Sequence, residues 1–529
     1  MIIREYMVPM RDGVRLYTCA VLPEGEGTFP VVLSRSPYDA ADAPPEAMAG
    51  EYTPFVEAGY AWVHQQCRGT ARSEGVMEPF VYERRDGLDT LDWLRQQPFY
   101  QGEIYPVGGS YLSFVHMSYL DTCPEDIKGA MLSVMPPDMY DGLTVNGFPK
   151  MDISVPWTAS MYHKKQADVS SFWQSYPAVT LKRPLCRVLT PFFDDGCPAF
   201  EAQMHSEGPD APWRVPNGPG DALNALKALR VPILMIEGWY DIYIGSAEAM
   251  WRDLSDDVRA RSAFVIGPWP HSCRVSADWD IAIENGDMPA SLPVSWLDHL
   301  RTGAPLQGAA EGRVTYYTLG QSGWRTSADV PRGAKEKAYY LCGGGMLKPE
   351  PEGAGARTWR HDPDHPVGFP GGANAFVTVP SGVLAQPEPD FSEGVISFVS
   401  EPLEADMVVT GRIDIDLTVR TTAEDSAVFV RVDAVRDGVA LPMQESITAI
   451  SRCAPDAKPG EDARVTMRTD PLSWRLRAGD RLRVDVASAN WPTYPSHGNV
   501  KGFVTTQTRA MVAENTLVTG VSRLILPIE

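Results

Sequence analysis

The sequence predicts an α/β protein that carries a second, all-β region at its C-terminal end. Strand-like apolar runs alternate with helix-like stretches in residues 1–137 and again in residues 222–311. This alternation is typical of a mostly parallel sheet with helices on both faces. In residues 312–529, short alternating runs recur between Gly, Pro and Asp turns without a helical period. That pattern is typical of a β-sandwich or jelly roll.

The elements of the first region can be placed along the chain from apolar spacing and turn residues. Strand-like runs are expected at 13–23, 30–37, 60–66, 104–109, 130–135, 231–237 and 262–266, and helix-like stretches at 46–58, 83–97, 111–120, 246–254 and 294–301. Residues 138–221 interrupt this order with many aromatics and prolines, which predicts a helical cap insertion suited to a small core or a pocket wall. Residues 345–375, rich in Gly, Pro and Asp, are predicted to form a long loop.

Composition and charge exclude several classes of protein. The chain has 529 residues, enough for more than one domain, and 68 acidic against 47 basic residues give a net charge of −21. This balance disfavours nucleic acid and anionic membrane surfaces as partners. No apolar run approaches the roughly 20 residues that span a bilayer, and the N-terminus lacks the pattern of a signal peptide. We therefore expect a cytoplasmic protein.

The eight cysteines are scattered without a C-x-x-C pair. Neither a zinc site nor a disulfide framework is indicated, and we expect buried free thiols. The sequence calls for no metal and no cofactor. The β-rich half could cover a site or mediate contact between copies of the chain in a homo-oligomer.

The stretch 104–113 carries the strongest candidate for chemistry. An apolar run ends in Gly108-Gly109, Ser110 follows, and a helix-like stretch leaves directly. A sharp strand-to-helix turn through small residues exposes the intervening side chain, as in a nucleophilic serine. The alternative is an ordinary turn in which Ser110 caps the helix. The motif G-x-S-x-G is incomplete, because Leu112 occupies its last position.

A catalytic serine needs a base and a carboxylate that orients the base. The strand at 231–237 runs into Asp241, and the strand at 262–266 runs into His271. Both residues follow the carboxyl ends of predicted parallel strands, where open α/β sheets gather their sites. Alone, Asp241 could be a turn residue and His271 a loop histidine. Together with Ser110 they have the chain order Ser, Asp, His of one large class of hydrolases.

These segments resemble a known family. The chain is similar to the cocaine-esterase and X-Pro dipeptidyl-peptidase group of α/β-hydrolases, which includes the α-amino-acid ester hydrolases. The motifs that carry the resemblance run along nearly the whole chain: Met10-Arg-Asp-Gly-Val-Arg-Leu, Arg35-Ser-Pro-Tyr-Asp39, Arg68-Gly-Thr with Ser73-Glu-Gly75, Gly108-Gly-Ser-Tyr-Leu112, Gly238-Trp-Tyr-Asp241, Gly267-Pro-Trp-Pro-His271, Ser400-Glu-Pro-Leu and Ala487-Ser-Ala-Asn-Trp-Pro.

The resemblance implies a role for each matched residue. Ser110 would be the nucleophile, His271 the base and Asp241 its orienting carboxylate. The hydroxyl of Tyr38 and the backbone N–H of Tyr111 would form the oxyanion hole. Both groups are donors that suit the oxygen of a tetrahedral intermediate.

The chain departs from the family pattern at one position of the serine motif. The family has glycine three residues after the serine, and Ser113 stands there. Serine is still small, but the local geometry of the turn becomes an open question.

The substrate is expected to be a small-molecule ester or amide. In the amino-acid ester hydrolases two carboxylates, two and three positions after the catalytic aspartate, bind the substrate ammonium. Tyr243 and Ile244 occupy those positions here, which favours an apolar or aromatic acyl group. The aromatic residues expected to line the substrate pocket are Trp157, Trp239, Tyr243 and Trp269.

A carboxylic ester is the first expectation for the bond cleaved. An X-Pro dipeptidyl-peptidase, or an amidase or acylase, on the same triad is the alternative. A hypothesis from another class is an inactive binding protein that uses the β-rich half as a ligand module, since a fold alone does not secure activity.

Overall fold

A computed structural model describes residues 1–40, 43–122, 124–136, 139–205, 227–274, 286–321, 323–374 and 380–529. Up to residue 327 the strands are β1 (Ile2–Pro9), β2 (Arg15–Leu22), β3 (Phe29–Ser36), β4 (Ala61–Gln66), β5 (Tyr100–Gly109), β6 (Ala130–Ser133), β7 (Thr144–Val145), β8 (Phe148–Pro149), β9 (Ile233–Tyr240), β10 (Ala263–Pro270), β11 (Arg313–Tyr317) and β12 (Trp324–Ser327).

Helices surround these strands. They are α1 (Ala49–Glu57), α2 (Glu83–Leu94), α3 (Tyr111–Met117), α4 (Met139–Leu143), α5 (Met151–Met161), α6 (Ser170–Ser175), α7 (Pro198–Met204), α8 (Ile244–Asp253), α9 (Asp256–Ala260) and α10 (Leu292–Thr302). Short 3₁₀ turns lie at Pro45–Met48, Leu120–Thr122, Ala178–Leu181, Leu185–Arg187, Thr190–Phe192 and Gly343–Gly345.

The first sheet has the strand order β1-β2-β4-β3-β5-β6-β9-β10-β11-β12. From β4 to β11 the neighbours pair in parallel, and β1, β2 and β12 join in antiparallel pairs at the edges. Strands β9 and β10 are buried along their whole length, as expected for parallel strands covered on both faces. The parallel pairing brings the carboxyl ends of β3, β5, β9 and β10 to one edge of the sheet.

The sheet extends beyond the predicted boundary at residue 312. Strand β11 pairs in parallel with β10, and β12 pairs with β11, so residues 313–327 belong to the α/β sheet rather than to the β region. The expected boundaries of the insertion, at 137/138 and 221/222, lie outside the described residues.

The insertion between β6 and β9 is mainly helical where it is described. It contains the small β7–β8 hairpin and helices α4 to α7. It forms an aromatic-rich core of its own, in which Phe172, Phe193 and Phe200 are buried with Met151 and Leu189. Helix α5 of this insertion lies over the carboxyl edge of the first sheet, because its side chains line the same cavities as the strand ends.

In its described residues, the C-terminal domain is all-β apart from the 3₁₀ turn at Gly343–Gly345 and one short helix, α11 (Ile450–Cys453). Its strands are β13 (Lys335–Cys342), β14 (Met346–Lys348), β15 (Gly355–His361), β16 (Ile396–Ser400), β17 (Met407–Gly411), β18 (Asp414–Thr421), β19 (Ala427–Arg436), β20 (Val439–Ala449), β21 (Ala463–Arg468), β22 (Leu472–Leu476), β23 (Arg481–Ala487), β24 (Ala513–Thr519) and β25 (Arg523–Ile528).

These strands join in one mostly antiparallel sheet whose main path is β15-β24-β18-β25-β13-β14-β16-β23-β19-β20. Two of them, β14 and β15, fall in residues 345–375, so the predicted long loop is wrong there. Strand β15 pairs with β24, about 150 residues further along the chain, and the local sequence pattern does not predict this pairing.

The two domains share one continuous hydrophobic core. Strand β20 also reaches the first sheet through polar contacts: the Tyr240 hydroxyl donates to the carbonyl of Pro442 at 2.7 Å, and Gln444 Nε2 donates to the carbonyl of Trp239 at 2.9 Å. Where the structure describes the chain, it contains no helix with both the length and the apolar character needed to cross a bilayer.

Candidate active site

Ser110 occupies a strained turn between β5 and α3. Its backbone has φ 57° and ψ −130°, a conformation that residues with a side chain rarely adopt. The helix receives no side-chain cap hydrogen bond from Ser110, so the helix-cap interpretation is not supported. A Cβ at Gly108 would lie 2.4 Å from the carbonyl carbon of Leu112, which explains why the turn needs glycine there. Strain of this kind concentrates at functional sites.

Ser113 answers the question raised by the missing glycine. Its side chain is fully buried, and its hydroxyl donates to the carbonyl of Gly108 at 2.6 Å. The same oxygen accepts from the backbone N–H of Ser133 at 2.9 Å. One hydroxyl therefore ties α3 to both β5 and β6. These hydrogen bonds fix the turn between β5 and α3, whereas a glycine would only allow the helix and the strands to approach closely.

His271 bridges Ser110 and Asp241. Its Nε2 lies 2.9 Å from Ser110 Oγ, and its Nδ1 lies 2.8 Å from Asp241 Oδ2. The Asp241 carboxylate is completely buried, and its other oxygen accepts from the backbone N–H of Tyr243 at 2.7 Å. The three predicted residues therefore form one hydrogen-bonded chain. Such a chain can pass the serine proton to the imidazole while the carboxylate holds the ring in one tautomer.

Glu237, which the sequence reasoning missed, lies near this chain on strand β9. Its side chain is buried, and its Oε1 accepts from the backbone N–H of Met135 at 3.2 Å. Burial, reinforced by the charge of Asp241, raises the pKa of Glu237 well above its ordinary value. Glu237 therefore holds its proton more readily than an exposed glutamate does. An acidic residue inside an apolar strand was the available signal.

Two hydrogen-bond donors converge beside Ser110. The Tyr38 hydroxyl, placed just after β3, contacts both the Ser110 side chain and the backbone N–H of Tyr111. Trp157 Nε1 donates to the same hydroxyl at 3.1 Å. The tyrosine as a whole is 40% exposed, but the surroundings of its hydroxyl desolvate it and raise the pKa of Tyr38. The group therefore stays protonated and able to donate.

Two cavities meet at Ser110. The larger has a volume of about 530 Å³ and opens between the strand ends and helices α5 and α6. Its described lining is Tyr38, Gly109, Ser110, Ser133, Val134, Ile153, Pro156, Trp157, Ser160, Met161, Trp173, His271, Ser272 and Cys273. The smaller has a volume of about 30 Å³ and is lined by Phe80, Ser110, Tyr111, Met135, Met139, Leu143, Ile153, Ser154, Trp157, Thr158, Gln203 and Tyr243.

Two of the four predicted pocket aromatics line these cavities and two do not. Trp157 lines both cavities and Tyr243 lines the smaller one. Trp239 is fully buried, and its Nε1 donates to the carbonyl of Tyr317 at 2.6 Å. Trp269 is also fully buried and packs against Trp324, with ring centroids 5.6 Å apart. Trp239 and Trp269 are therefore wrong as pocket residues, because both lie within strands and turn into the core.

The sequence reasoning also missed most of the apolar lining. Ile153, Met161 and Trp173 belong to helices α5 and α6 of the insertion. The aromatic and apolar content of residues 138–221 was the available signal, but it could not say which side chains face the strand ends.

A group of potential metal ligands lies elsewhere in the insertion. Ligand atoms of Cys186, Glu201 and His205 lie within 4.8 Å of one another. Glu201 is already paired with Arg187 at 3.0 Å. None of the three residues lines either cavity at Ser110.

Two family models match almost the whole chain. The model of the X-Pro dipeptidyl-peptidase (S15 family) matches residues 12–273, and that of the X-Pro dipeptidyl-peptidase C-terminal non-catalytic domain matches residues 308–523. The two matches follow the order of the two sheets along the chain, although strands β11 and β12 of the first sheet fall within the second match. The chain belongs to this family of α/β-hydrolases, and it is a serine hydrolase of the esterase and peptidase type.

Relatives and solved structures agree with this assignment. The cocaine esterase of Rhodococcus sp. (strain MB1 Bresler) is 27% identical over 545 residues, covering 94% of this chain and 92% of the relative. An α-amino acid ester hydrolase shares the fold with a TM-score of 0.83 at 23% identity, covering 100% of this chain and 96% of the other. An aminopeptidase from a marine sediment Thaumarchaeota archaeon matches with a TM-score of 0.78 at 19% identity, with the same coverage.

Proposed function

We propose that the chain hydrolyses carboxylic esters with an apolar acyl group, using Ser110 as nucleophile, His271 as base and Asp241 as orienting carboxylate. The observation that carries this proposal is the hydrogen-bonded chain from Asp241 through His271 to Ser110, which ends at the mouth of a largely apolar cavity. The membership of the chain in a family of serine hydrolases supports the proposed activity. The same membership disfavours the alternative of an inactive binding protein.

The first half-reaction forms an acyl-enzyme. Ser110 Oγ attacks the ester carbonyl carbon while its proton passes to His271 Nε2. The carbonyl oxygen gains the negative charge and accepts from the Tyr38 hydroxyl and the Tyr111 N–H. The bond between carbon and the alcohol oxygen then breaks, and His271 gives its proton to the departing alcohol.

The second half-reaction restores the enzyme. A water molecule takes the place of the alcohol, gives a proton to His271 Nε2 and attacks the acyl carbon. The bond to Ser110 Oγ breaks, the proton returns to the serine, and a carboxylic acid leaves. Asp241 accepts from Nδ1–H throughout and stabilises the imidazolium that forms in each half.

The lining of the cavities favours an uncharged ester over substrates with an ammonium group. Among the described residues no Asp or Glu lines either cavity, and Asp141 and Asp152 of the insertion are not part of the lining. An X-Pro peptidase or an amino-acid ester hydrolase needs an anionic partner for a free amino group. The apolar walls instead match the general character of sites for neutral small molecules.

The test compares wild-type protein with Ser110→Ala on a chromogenic short-chain aryl ester. Ser118→Ala is the matched control, since Ser118 lies at the end of the same helix and donates to the carbonyl of Val115 at 2.8 Å. We expect turnover by wild type and Ser118→Ala, and loss of nearly all turnover in Ser110→Ala.

Equal turnover by wild type and Ser110→Ala would remove Ser110 from the mechanism. The preference for the ester is tested with an aminoacyl ester and an X-Pro anilide beside the aryl ester. A higher kcat/KM for the anilide would contradict the esterase and favour the peptidase alternative.

A further inference from the structure

The two cavities at Ser110 receive different parts of the substrate, and this inference rests on the function proposed above. His271 must give its proton to the departing alcohol, so the alcohol lies on the imidazole side of Ser110. His271 and its neighbours Ser272 and Cys273 line the larger cavity and not the smaller one. The larger cavity is therefore placed to receive the alcohol.

The smaller cavity is separated from the imidazole. Tyr243 lines it, and the ring of Tyr243 stands edge-on to His271 with centroids 5.6 Å apart. The cavity reaches Ser110 and Tyr111, the residue whose N–H faces the carbonyl oxygen. An acyl chain that extends from the carbonyl carbon on the side opposite His271 therefore enters the smaller cavity.

Trp157 forms the wall between the two spaces. It lines both cavities, and its ring lies 5.2 Å from that of Tyr111 and 5.5 Å from that of Phe80. Its Nε1 donates to the Tyr38 hydroxyl. A ring held by a hydrogen bond and packed against two tilted aromatic neighbours resists rotation, so the division is a fixed feature of the site.

The two volumes differ by more than tenfold. A cavity of about 30 Å³ has room for a few atoms beyond the carbonyl carbon, since about 10–15 Å³ already holds one water molecule. A volume of about 530 Å³ lies in the range of sites that hold a drug-sized molecule. Met139 and Leu143, two of the residues that line the smaller cavity, are buried.

We propose that the substrate is an ester of a compact acyl group, from acetyl to butyryl, with a bulky apolar alcohol. An aromatic acyl ring does not fit the smaller cavity, so the aromatic alternative for the acyl group is set aside. The apolar wall of the larger cavity, including Met161 and Trp173, receives the alcohol instead.

Two substrate series on the wild-type protein test this division without any mutation. The first keeps the p-nitrophenyl leaving group and varies the acyl group through acetate, butyrate, hexanoate and benzoate, with each kcat/KM divided by the rate of hydroxide hydrolysis. We expect a fall of about tenfold or more from butyrate to hexanoate and to benzoate. The second series uses ethyl, benzyl and naphthylmethyl acetates, and kcat/KM is expected to rise with the size of the alcohol.

Variants assign the selectivity to the two cavities. Leu143→Ala or Met139→Ala enlarges the smaller cavity, so the ratio of hexanoate to acetate turnover should rise about tenfold. Two separate variants are used because either could impair folding, which a thermal melt reports. Met161→Ala, in the wall of the larger cavity, should change the alcohol series and leave that acyl ratio as in wild type.

The outcomes separate this inference from the proposed function. The division of the site, and not the proposed function, is overturned if benzoate or hexanoate is cleaved as well as acetate. It is also overturned if the hexanoate-to-acetate ratio changes with Met161→Ala and not with Leu143→Ala or Met139→Ala. Cleavage of none of these esters overturns the proposed function and the inference together.

Discussion

The α/β sheet and the C-terminal β domain both bury charged side chains, but they place them differently. In the sheet, the buried Asp241 belongs to a chain of hydrogen bonds that ends at Ser110 in an open cavity. In the β domain, Arg431 pairs with Glu445 inside the protein, and Arg483 pairs with Asp485 at 2.8 Å. None of these four residues lines either cavity at Ser110.

The comparison shows why burial of a charge does not by itself identify a catalytic group. A buried ion pair restricts which structures the chain can adopt, and removing one partner leaves an uncompensated charge. A catalytic carboxylate has a partner that is itself exposed to substrate. The chain from Asp241 meets that condition at Ser110, so its loss should affect rate, whereas losses in the β domain should affect stability.

The largest effect is expected from Asp241→Asn. The uncharged amide cannot stabilise the imidazolium, and with its oxygen held by the Tyr243 N–H its NH2 faces Nδ1 and favours the wrong tautomer. We therefore expect kcat to fall by about 10⁴-fold while the melting temperature changes little. Steady-state kinetics on an aryl acetate measure this fall. Asp485→Asn is the matched control, because Asp485 is also completely buried. For the control we expect a loss of stability with a normal kcat. A normal kcat in Asp241→Asn would contradict the distinction between a catalytic carboxylate and a structural one.

The next effect concerns the stability of the β domain. Glu445→Leu leaves the guanidinium of Arg431 buried without its carboxylate, which should lower the free energy of unfolding by about 3–5 kcal/mol. Urea unfolding measures the change, and kcat of the folded protein should stay normal. The double variant Arg431→Met/Glu445→Leu should recover most of the loss. A double variant as unstable as the single one would show that the unpaired charge is not the cause.

Tyr38→Phe tests whether the Tyr38 hydroxyl donates a hydrogen bond in the proposed oxyanion hole. Removing one oxyanion donor typically costs about 10²–10³ in kcat, and KM should change little because the contact strengthens in the transition state. Tyr60→Phe is the control, since its hydroxyl donates to Asp298 at 2.7 Å outside both cavities. A fall confined to KM would mean that Tyr38 binds substrate without stabilising the oxyanion.

The three residues of the proposed triad could be brought together from the sequence because each follows the end of a parallel strand. Ser110, Asp241 and His271 lie 131 and 30 residues apart in the sequence, yet β5, β9 and β10 bring them to one edge. The strand runs and the chain order were sufficient, and the family motif supplied Tyr38. The fold class followed from the same alternation of strands and helices.

The failures have physical causes. Trp239 and Trp269 precede Asp241 and His271 by only two residues. The tryptophans still lie within strands β9 and β10 and are buried in the core, whereas Asp241 and His271 lie just past the strand ends. Strand β15 has little apolar alternation, and its partner β24 is remote in sequence, so 345–375 read as a loop. The bonds of Ser113 to two strands depend on tertiary contacts that a single sequence does not contain.

The smallest effect is a loss of stability in acid to which buried histidines of both regions contribute. On helix α3, burial lowers the pKa of His116 to about 3. Burial lowers the pKa of His361 to about 4, and burial also lowers the pKa of His497, whose ring lies 3.6 Å from Asp425. Unfolded histidine titrates near pH 6.5, so between about pH 6.5 and 4 the unfolded chain binds more protons than the folded one. The free energy of unfolding should therefore fall with decreasing pH, by up to about 1.4 kcal/mol per pH unit for each histidine.

Urea unfolding at a series of pH values measures this slope, and His361→Gln should flatten it. His271→Gln is the informative control, because it removes the proposed base from the other region. If the two regions differ as argued, His271→Gln abolishes activity at every pH but keeps the slope that His361→Gln reduces. A slope that disappears with His271→Gln would place the acid-sensitive group at the proposed base and contradict the role given to the buried histidines.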